Sequence, residues 1–217
     1  MVMEGKKKKK IVIFGNGNHC KIVKQEILEN QDFEIYAIYD FKGGKIKKSL
    51  KYKKNKINLN TKFYAITAVG DNKERFKLVN IVNRKFKKKI WISVISKNSI
   101  VNKNVKIGKG SLIVSGSVVN TGAFIGNHSI INTCSIIDHD TKIGNFTTIS
   151  PGSVLAGKIL IRNFVFVGIG SVIREKIIIN SNIIIGANSF VNKNCINKGL
   201  YFGSPAKYVK SKIFNIF

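Results

Sequence analysis

The chain has 217 residues, enough for one large or two small domains with a proper core. Its formal charge of +27 is almost all Lys, spread along the whole length among many Ile and Asn, with no recognition motif or aromatic–basic interleaving beside it. That pattern reads as solvated faces painted in Lys and argues against a nucleic-acid-binding class. The run Lys6–Lys10 precedes only four apolar residues, Ile11–Phe14, too few for a secretory signal, and no apolar stretch is long enough for membrane insertion. Three scattered cysteines, Cys20, Cys134 and Cys195, fit no zinc or disulfide spacing and point to a reducing, cytoplasmic setting.

Residues 1–94 have the texture of an α/β domain. Ile11–Phe14 reads as a buried strand, and the turn Gly15–His19 leads into a helix whose apolar face is Cys20, Val23 and Ile27. Glu34–Tyr39 reads as a second strand ending at Asp40. Phe63–Val69 reads as a third, closed by Gly70-Asp71-Asn72, with Asn72 placed to cap the next helix. Trp91–Val94 then leads onward. This is a Rossmann-like βαβαβ pattern, with a glycine turn over a helix N-terminus and an acid at the end of the second strand. Such a turn can hold phosphate on its backbone N–H groups. One half of this kind is too small for a dinucleotide, and Cys20 replaces the third glycine of the turn, so a nucleotide-sugar fits better than NAD.

From Ile95 a period of six takes over and runs through Ile131, Ile149 and Ile173 to Val191. Every one of these seventeen positions is aliphatic, with no insertion between them. Four residues after each, the side chain is mostly small, as at Ser111, Ser129, Thr147 and Ser171, and glycine recurs in between, as at Gly108, Gly126 and Gly144. One aliphatic and one small side chain per face fill a narrow prism without overpacking it, while Gly and Asn suit the backbone angles of corners. Three faces make an 18-residue coil that stacks on the next by parallel β pairing, so residues 95–217 read as a parallel β-helix. Handedness does not follow from the period.

Three histidines exist: His19, His128 and His139. His19 lies in the front domain and the other two fall on different faces of the prism, which leaves no three-His metal site within one chain. His139 sits in Asp138-His139-Asp140, where side chains leave the prism near a corner. An imidazole flanked by two carboxylates suits a general base whose tautomer is fixed by a neighbour. Gly157 lies eighteen residues on, at the same corner one coil away, where its N–H could face a thioester carbonyl as an oxyanion donor.

These residues bring out a family resemblance over nearly the whole chain. The turn Gly15–His19, Tyr39-Asp40, Gly70-Asp71-Asn72, the segment from Asn132-Thr133 through Asp138-His139-Asp140, and the closing Gly203-Ser204-Pro205-Ala206-Lys207 carry it. In them the chain resembles the bacterial N-acetyltransferases of UDP-4-amino-sugars and the related sialic-acid O-acetyltransferases of surface-glycan synthesis. The resemblance implies a left-handed β-helix, acetyl-CoA as co-substrate and no metal. It implies His139 as the base that deprotonates the sugar amine, Asp140 as its polarising partner, Asn132 as an orienting group and Gly157 as the oxyanion N–H. It further implies that Thr148, Ile169 and Ala187 line the CoA groove, and that Gly17, Asn18, His19, Asp40 and Gly70 hold the nucleotide-sugar. Two positions depart from the family: Thr148 stands where relatives often carry His, and Asn18 and Cys20 replace small residues of the nucleotide turn.

The expected reaction is a direct transfer in a ternary complex, without an acyl-enzyme, since Cys134 has no base partner in the sequence. The resemblance implies a homotrimer with its sites between adjacent helices, and Phe124, Phe146, Phe164 and Phe166 are expected to be buried against neighbouring copies. The tail Tyr208–Phe217 reads as a cap over the open end of the prism. Two alternatives stay open: an acyltransferase that acts on a sugar hydroxyl, sialic acid included, or uses a longer acyl donor, or a non-catalytic β-helix that binds polyanions through its Lys surface.

Overall fold

The computed structural model describes residues 8–42, 45–48, 62–86 and 90–209. The front unit begins with β1 (Lys9–Phe14), α1 (His19–Glu29) and β2 (Phe33–Lys42). It continues with β3 (Lys45–Lys48), β4 (Tyr64–Thr67) and α2 (Asn72–Phe86). The strand order is β3-β2-β1-β4, with β1 parallel to both β2 and β4. Alternation along β1 divides the core. Ile11 and Ile13 pack with Cys20, Val23 and Ile27 of α1, whereas Val12 and Phe14 pack with Leu78 and Val82 of α2.

Two local expectations are corrected here. The second strand does not end at Asp40: it runs on to Lys42 and pairs antiparallel with β3, Asp40 opposite Lys47. Nor does Asn72 cap α2. The Asp71 carboxylate accepts the Glu74 N–H at 2.7 Å in that role, freeing the Asn72 amide to donate to Val165 O at 2.9 Å, 93 residues away.

From Val94 the chain winds into a left-handed parallel β-helix of about six turns. The first face carries Ile95, Ile113, Ile131, Ile149, Val167 and Ile185. The second runs from Val101 through Ile137 to Val191, and the third from Ile107 through Ile143 to Ile179. Every step is eighteen residues, and the inward aliphatics from Ile113 to Val191 form one buried core. Ile95, at the open first coil, is instead partly exposed.

The small inward residues do more than save space. Ser111, Ser129 and Ser153 donate their hydroxyls to the carbonyls of Gly126, Gly144 and Gly168, satisfying corner groups inside the prism. The corner glycines also act differently from expectation. Gly126 does not adopt a left-handed angle; a Cβ there would lie 2.5 Å from the Gly144 carbonyl carbon of the next coil. The left-handed position falls two residues later, and His128, Cys134, Asp140, Phe146, Lys158 and Phe164 are among the non-glycine residues that occupy it.

The first face is covered by the front unit. Val94, Leu112, Val114 and Ile130 join the α1 side of the sheet in one buried cluster. Phe146 and Phe164 are stacked 5.5 Å apart at the corner between the third and first faces, and Phe76 of α2 packs edge-on against both. These two rings are therefore covered in part by their own chain and stay part-buried. At the far end Gly199–Phe202 extends the first face and pairs antiparallel with Lys207–Val209. The rest of the expected cap, 210–217, lies outside the described residues. Among the described residues, no helix is long and apolar enough to cross a membrane.

Candidate functional site

His139 follows the strand Ile136–Ile137 at the corner between the second and third faces. Its N–H donates to Asp138 Oδ1 at 2.7 Å, and the Asn120 amide donates to the same oxygen from the preceding coil at 3.0 Å. These two bonds hold the Asp138 carboxyl below the usual carboxylate range. Asp140 adopts a left-handed angle (φ 59°) that turns its carboxylate back onto the ring, with Oδ2 2.9 Å from His139 Nδ1. A carboxylate only accepts, so Nδ1 carries a proton, and in the neutral ring the lone pair falls on Nε2.

Nε2 faces Gly157, one coil along the axis. A Cβ on Gly157 would lie 2.5 Å from Nε2, so only glycine admits the ring in this position. The Gly157 carbonyl is taken by the Lys176 N–H at 3.0 Å, while its own N–H meets no acceptor among the described residues. Both the imidazole and the Asp140 carboxylate are about half exposed. In the neutral ring a lone pair able to accept a proton thus stands one coil from a main-chain N–H able to bind a developing oxyanion.

The other expected groove residues lie elsewhere. Asn132, Ile169 and Ala187 follow first-face strands and so line the corner between the first and second faces, across one face from His139. The Asn132 side-chain oxygen accepts the Thr133 N–H at 2.9 Å, and Ile169 stands 60% exposed. Thr148 is not on an open groove. It is 4% exposed beneath the front unit, donating to Asn72 Oδ1 at 2.7 Å.

Gly17, Asn18, His19 and Gly70 line one cavity of about 300 Å³, together with Gly15, Phe41, Asp71 and Glu74. Asp40 is not among its lining residues; its carboxylate accepts the Phe41 N–H at 2.8 Å. Asn18 precedes α1 without a side-chain cap bond, and no acid stands in the first turn, which leaves the positive end of the helix toward the cavity. Burial, with the positive charge of Arg75 adding to it, pulls His19 down to about 4, and its Nε2 is buried with no partner among the described residues.

Arg75 is the residue that sequence reasoning missed. It is 1% exposed and bridges the front unit and the coil, donating to Val69 O, Gly70 O and Asn72 Oδ1 on one side and to His128 O and Thr148 Oγ1 on the other. The signal was present: Asn72, Arg75, Leu78, Val79 and Val82 share the buried stripe of α2. Only four of the 38 basic residues are Arg, so one on an apolar stripe marks a need for its fork geometry. Among the described residues, no group of three or more His, Cys, Asp or Glu could hold a metal ion.

Residues 10–82 match the family described as the PglD N-terminal domain. Over the whole chain the fold is similar to PerB from Caulobacter crescentus in complex with CoA and GDP-perosamine. That likeness has 26% identity and TM-score 0.78, over 92% of this chain and 97% of that one. A histidine-to-asparagine variant of perosamine N-acetyltransferase from the same organism, also with CoA and GDP-perosamine, is similar at 25% identity and TM-score 0.79, over 93% and 97%. The acetyltransferase domain of PglB from Neisseria gonorrhoeae, in complex with acetyl coenzyme A, shares the fold at 22% identity and TM-score 0.75, over 94% and 100%. No curated protein sequence matches the chain.

Proposed function

We propose, from the premise that the chain is one of the hexapeptide-repeat sugar acetyltransferases, that it moves the acetyl group of acetyl-CoA to the amine of a nucleotide-linked amino-sugar. The observation that carries this is the pairing at one corner: an imidazole held through Nδ1 by Asp140, and a glycine N–H one coil along. The sugar amine attacks the thioester carbonyl, and its nitrogen forms the new C–N bond. His139 Nε2 takes the proton the amine sheds. The Gly157 N–H steadies the oxyanion, the C–S bond breaks, and the proton passes to the departing CoA thiolate. No metal takes part in these steps.

The finer reading is a UDP-linked sugar, acetylated on a 4-amino group, with surface-glycan synthesis as its setting. The C. crescentus relative holds GDP-perosamine, so the base is the part to test first. Thiol release from acetyl-CoA over a panel of UDP-, GDP- and dTDP-amino-sugars, with hydroxyl sugars and sialic acid as controls, decides it. Turnover on an amino-sugar of one nucleotide supports the reading. Turnover only on hydroxyls points to O-acylation, and no turnover with salt-sensitive binding to polyanions points to a scaffold.

A homotrimer completes this picture. The outward residues of the second face, Ile100, Val118, Ile136, Val154, Val172 and Phe190, form an apolar stripe, with Ile100 67% exposed. The stripe runs between the His139 corner and the corner of Asn132, Ile169 and Ala187. A neighbouring copy packed beside it would bring the His139 corner of one protomer against the other corner of the next, enclosing the acetyl-CoA groove between them. Sedimentation equilibrium at three times the chain mass is the expected result.

A further inference from the structure

The cavity at the α1 N-terminus sets an electrostatic problem for an anionic ligand. Among the described residues its lining includes Asp71 and Glu74 and no Lys or Arg. His19, on the same lining, is held neutral by burial. The Asp71 carboxylate repels a diphosphate, Glu74 is offset by its 2.6 Å ion pair with Lys77, and a helix N-terminus supplies only partial positive charge.

Behind the lining lies Arg75. Its Nε donates to His128 O at 2.8 Å, and one terminal nitrogen donates to Val69 O and Gly70 O at 2.9 and 2.7 Å. The other donates to Asn72 Oδ1 and Thr148 Oγ1. All five N–H groups are used, and every acceptor is a neutral oxygen. Among the described residues the buried charge is therefore met by no carboxylate within hydrogen-bond reach, and Asp71, whose charge acts on it, spends one oxygen on the Glu74 N–H. An unpaired buried cation is costly, and Met or Leu would serve the same stripe if packing alone mattered. Burial pulls Arg75 down to about 9, so it remains a cation at neutral pH. Val69 and Gly70, whose carbonyls it draws onto itself, are two of the residues that line the cavity.

We infer that Arg75 is a positioning residue for the diphosphate of the nucleotide-sugar: from behind the Val69–Gly70 turn it supplies the positive potential that the cavity lining lacks. It touches no substrate. It acts through low-dielectric packing and through the turn whose carbonyls it holds. The inference rests on the nucleotide-sugar reading, and its test separates the two.

The test is equilibrium binding of UDP, GDP and dTDP, and of uridine, guanosine and thymidine, to the full-length protein, as wild type, Arg75→Gln and Arg75→Lys, with acetyl-CoA affinity and circular dichroism as checks on folding. Arg75→Gln weakens the diphosphate that binds wild type by about tenfold or more and leaves the matching nucleoside within about twofold. Arg75→Lys keeps the charge and loses the fork, and it retains most of the preference for diphosphate over nucleoside. Equal losses for nucleoside and diphosphate in Arg75→Gln would make the residue a structural clamp and overturn the inference. So would a preference that survives in Arg75→Gln, or one that vanishes in Arg75→Lys. A wild type that binds acetyl-CoA but none of UDP, GDP and dTDP overturns the nucleotide-sugar reading itself.

Discussion

Replacing Gly157 by Ala puts a methyl group against the ring on which the proposed chemistry depends. The new Cβ would lie 2.5 Å from His139 Nε2, 2.7 Å from Cε1 and 3.0 Å from Cδ2. Ordinary contact between such atoms is about 3.5–4.0 Å, so the ring must retreat by about 1 Å. Gly157 is not in the left-handed region, so alanine takes up the backbone there without strain. The ring is half exposed and can swing toward solvent without breaking the coil. Stability should then change by no more than about 0.5 kcal/mol. Turnover has no such escape. Moving Nε2 strains the 2.9 Å bond between Nδ1 and Asp140, and a misplacement of about 1 Å costs on the order of 100-fold. Alanine keeps its main-chain N–H, so the oxyanion donor survives and the loss reports on ring position alone. The assay is kcat for CoA release at saturating substrates, with Tm measured on the same preparation. Near-wild-type kcat would refute the reasoning, as would a loss of activity that merely tracks a fall in Tm.

Asp140→Asn tests the partner of the ring. Asparagine tolerates the left-handed backbone at φ 59°, so Tm should hold while kcat falls by about 10- to 100-fold, because an amide can present an N–H and reverse the tautomer. Phe76→Ala uncovers the Phe146–Phe164 stack and should cost about 2 kcal/mol in urea denaturation; an unchanged midpoint would show that α2 is held by its other contacts. Acid should weaken the junction between front unit and coil. His19 and His128 are both pulled from 6.5 to about 4, chiefly by burial and secondarily by Arg75. The unfolded chain takes up protons below 6.5 while the folded chain resists until about 4. Stability is therefore full above 6.5 and falls between 6.5 and 4, by up to about 3 kcal/mol for each histidine. Tm measured from pH 7.5 to pH 4 checks this, and a flat profile would contradict it.

The period of six was legible because every coil repeats the same demand, one aliphatic and one small side chain inward, so seventeen positions report one geometry. The left-handed corner position was not, because residues as unlike as His128, Asp140 and Phe146 fill it: hydrogen bonds to the neighbouring coil hold the angle, and composition does not mark it. His139 and Gly157 were placed together because a stacking rule joins residues eighteen apart. The Asn72–Thr148–Arg75 junction obeys no such rule. Its partners lie 73 and 76 residues apart, and Asn72 followed by a helical stripe reads locally as a cap. The same limit hid the packing on Phe146 and Phe164, since nothing near them in sequence announces that Phe76 lies against them. Asp40 was misread at the end of its strand because β2 runs on to Lys42 and pairs with β3, a partner that nothing near Asp40 in sequence announces.

The proposed transfer depends most directly on His139. The deciding measurement is single-turnover acetyl transfer by His139→Asn on the best amino-sugar of the panel, with acetyl-CoA and nucleotide affinities taken in parallel. Loss of the base should slow transfer by about 10²- to 10⁴-fold and leave both affinities within about threefold of wild type. Transfer at close to the wild-type rate would remove the imidazole from the chemistry and contradict the account.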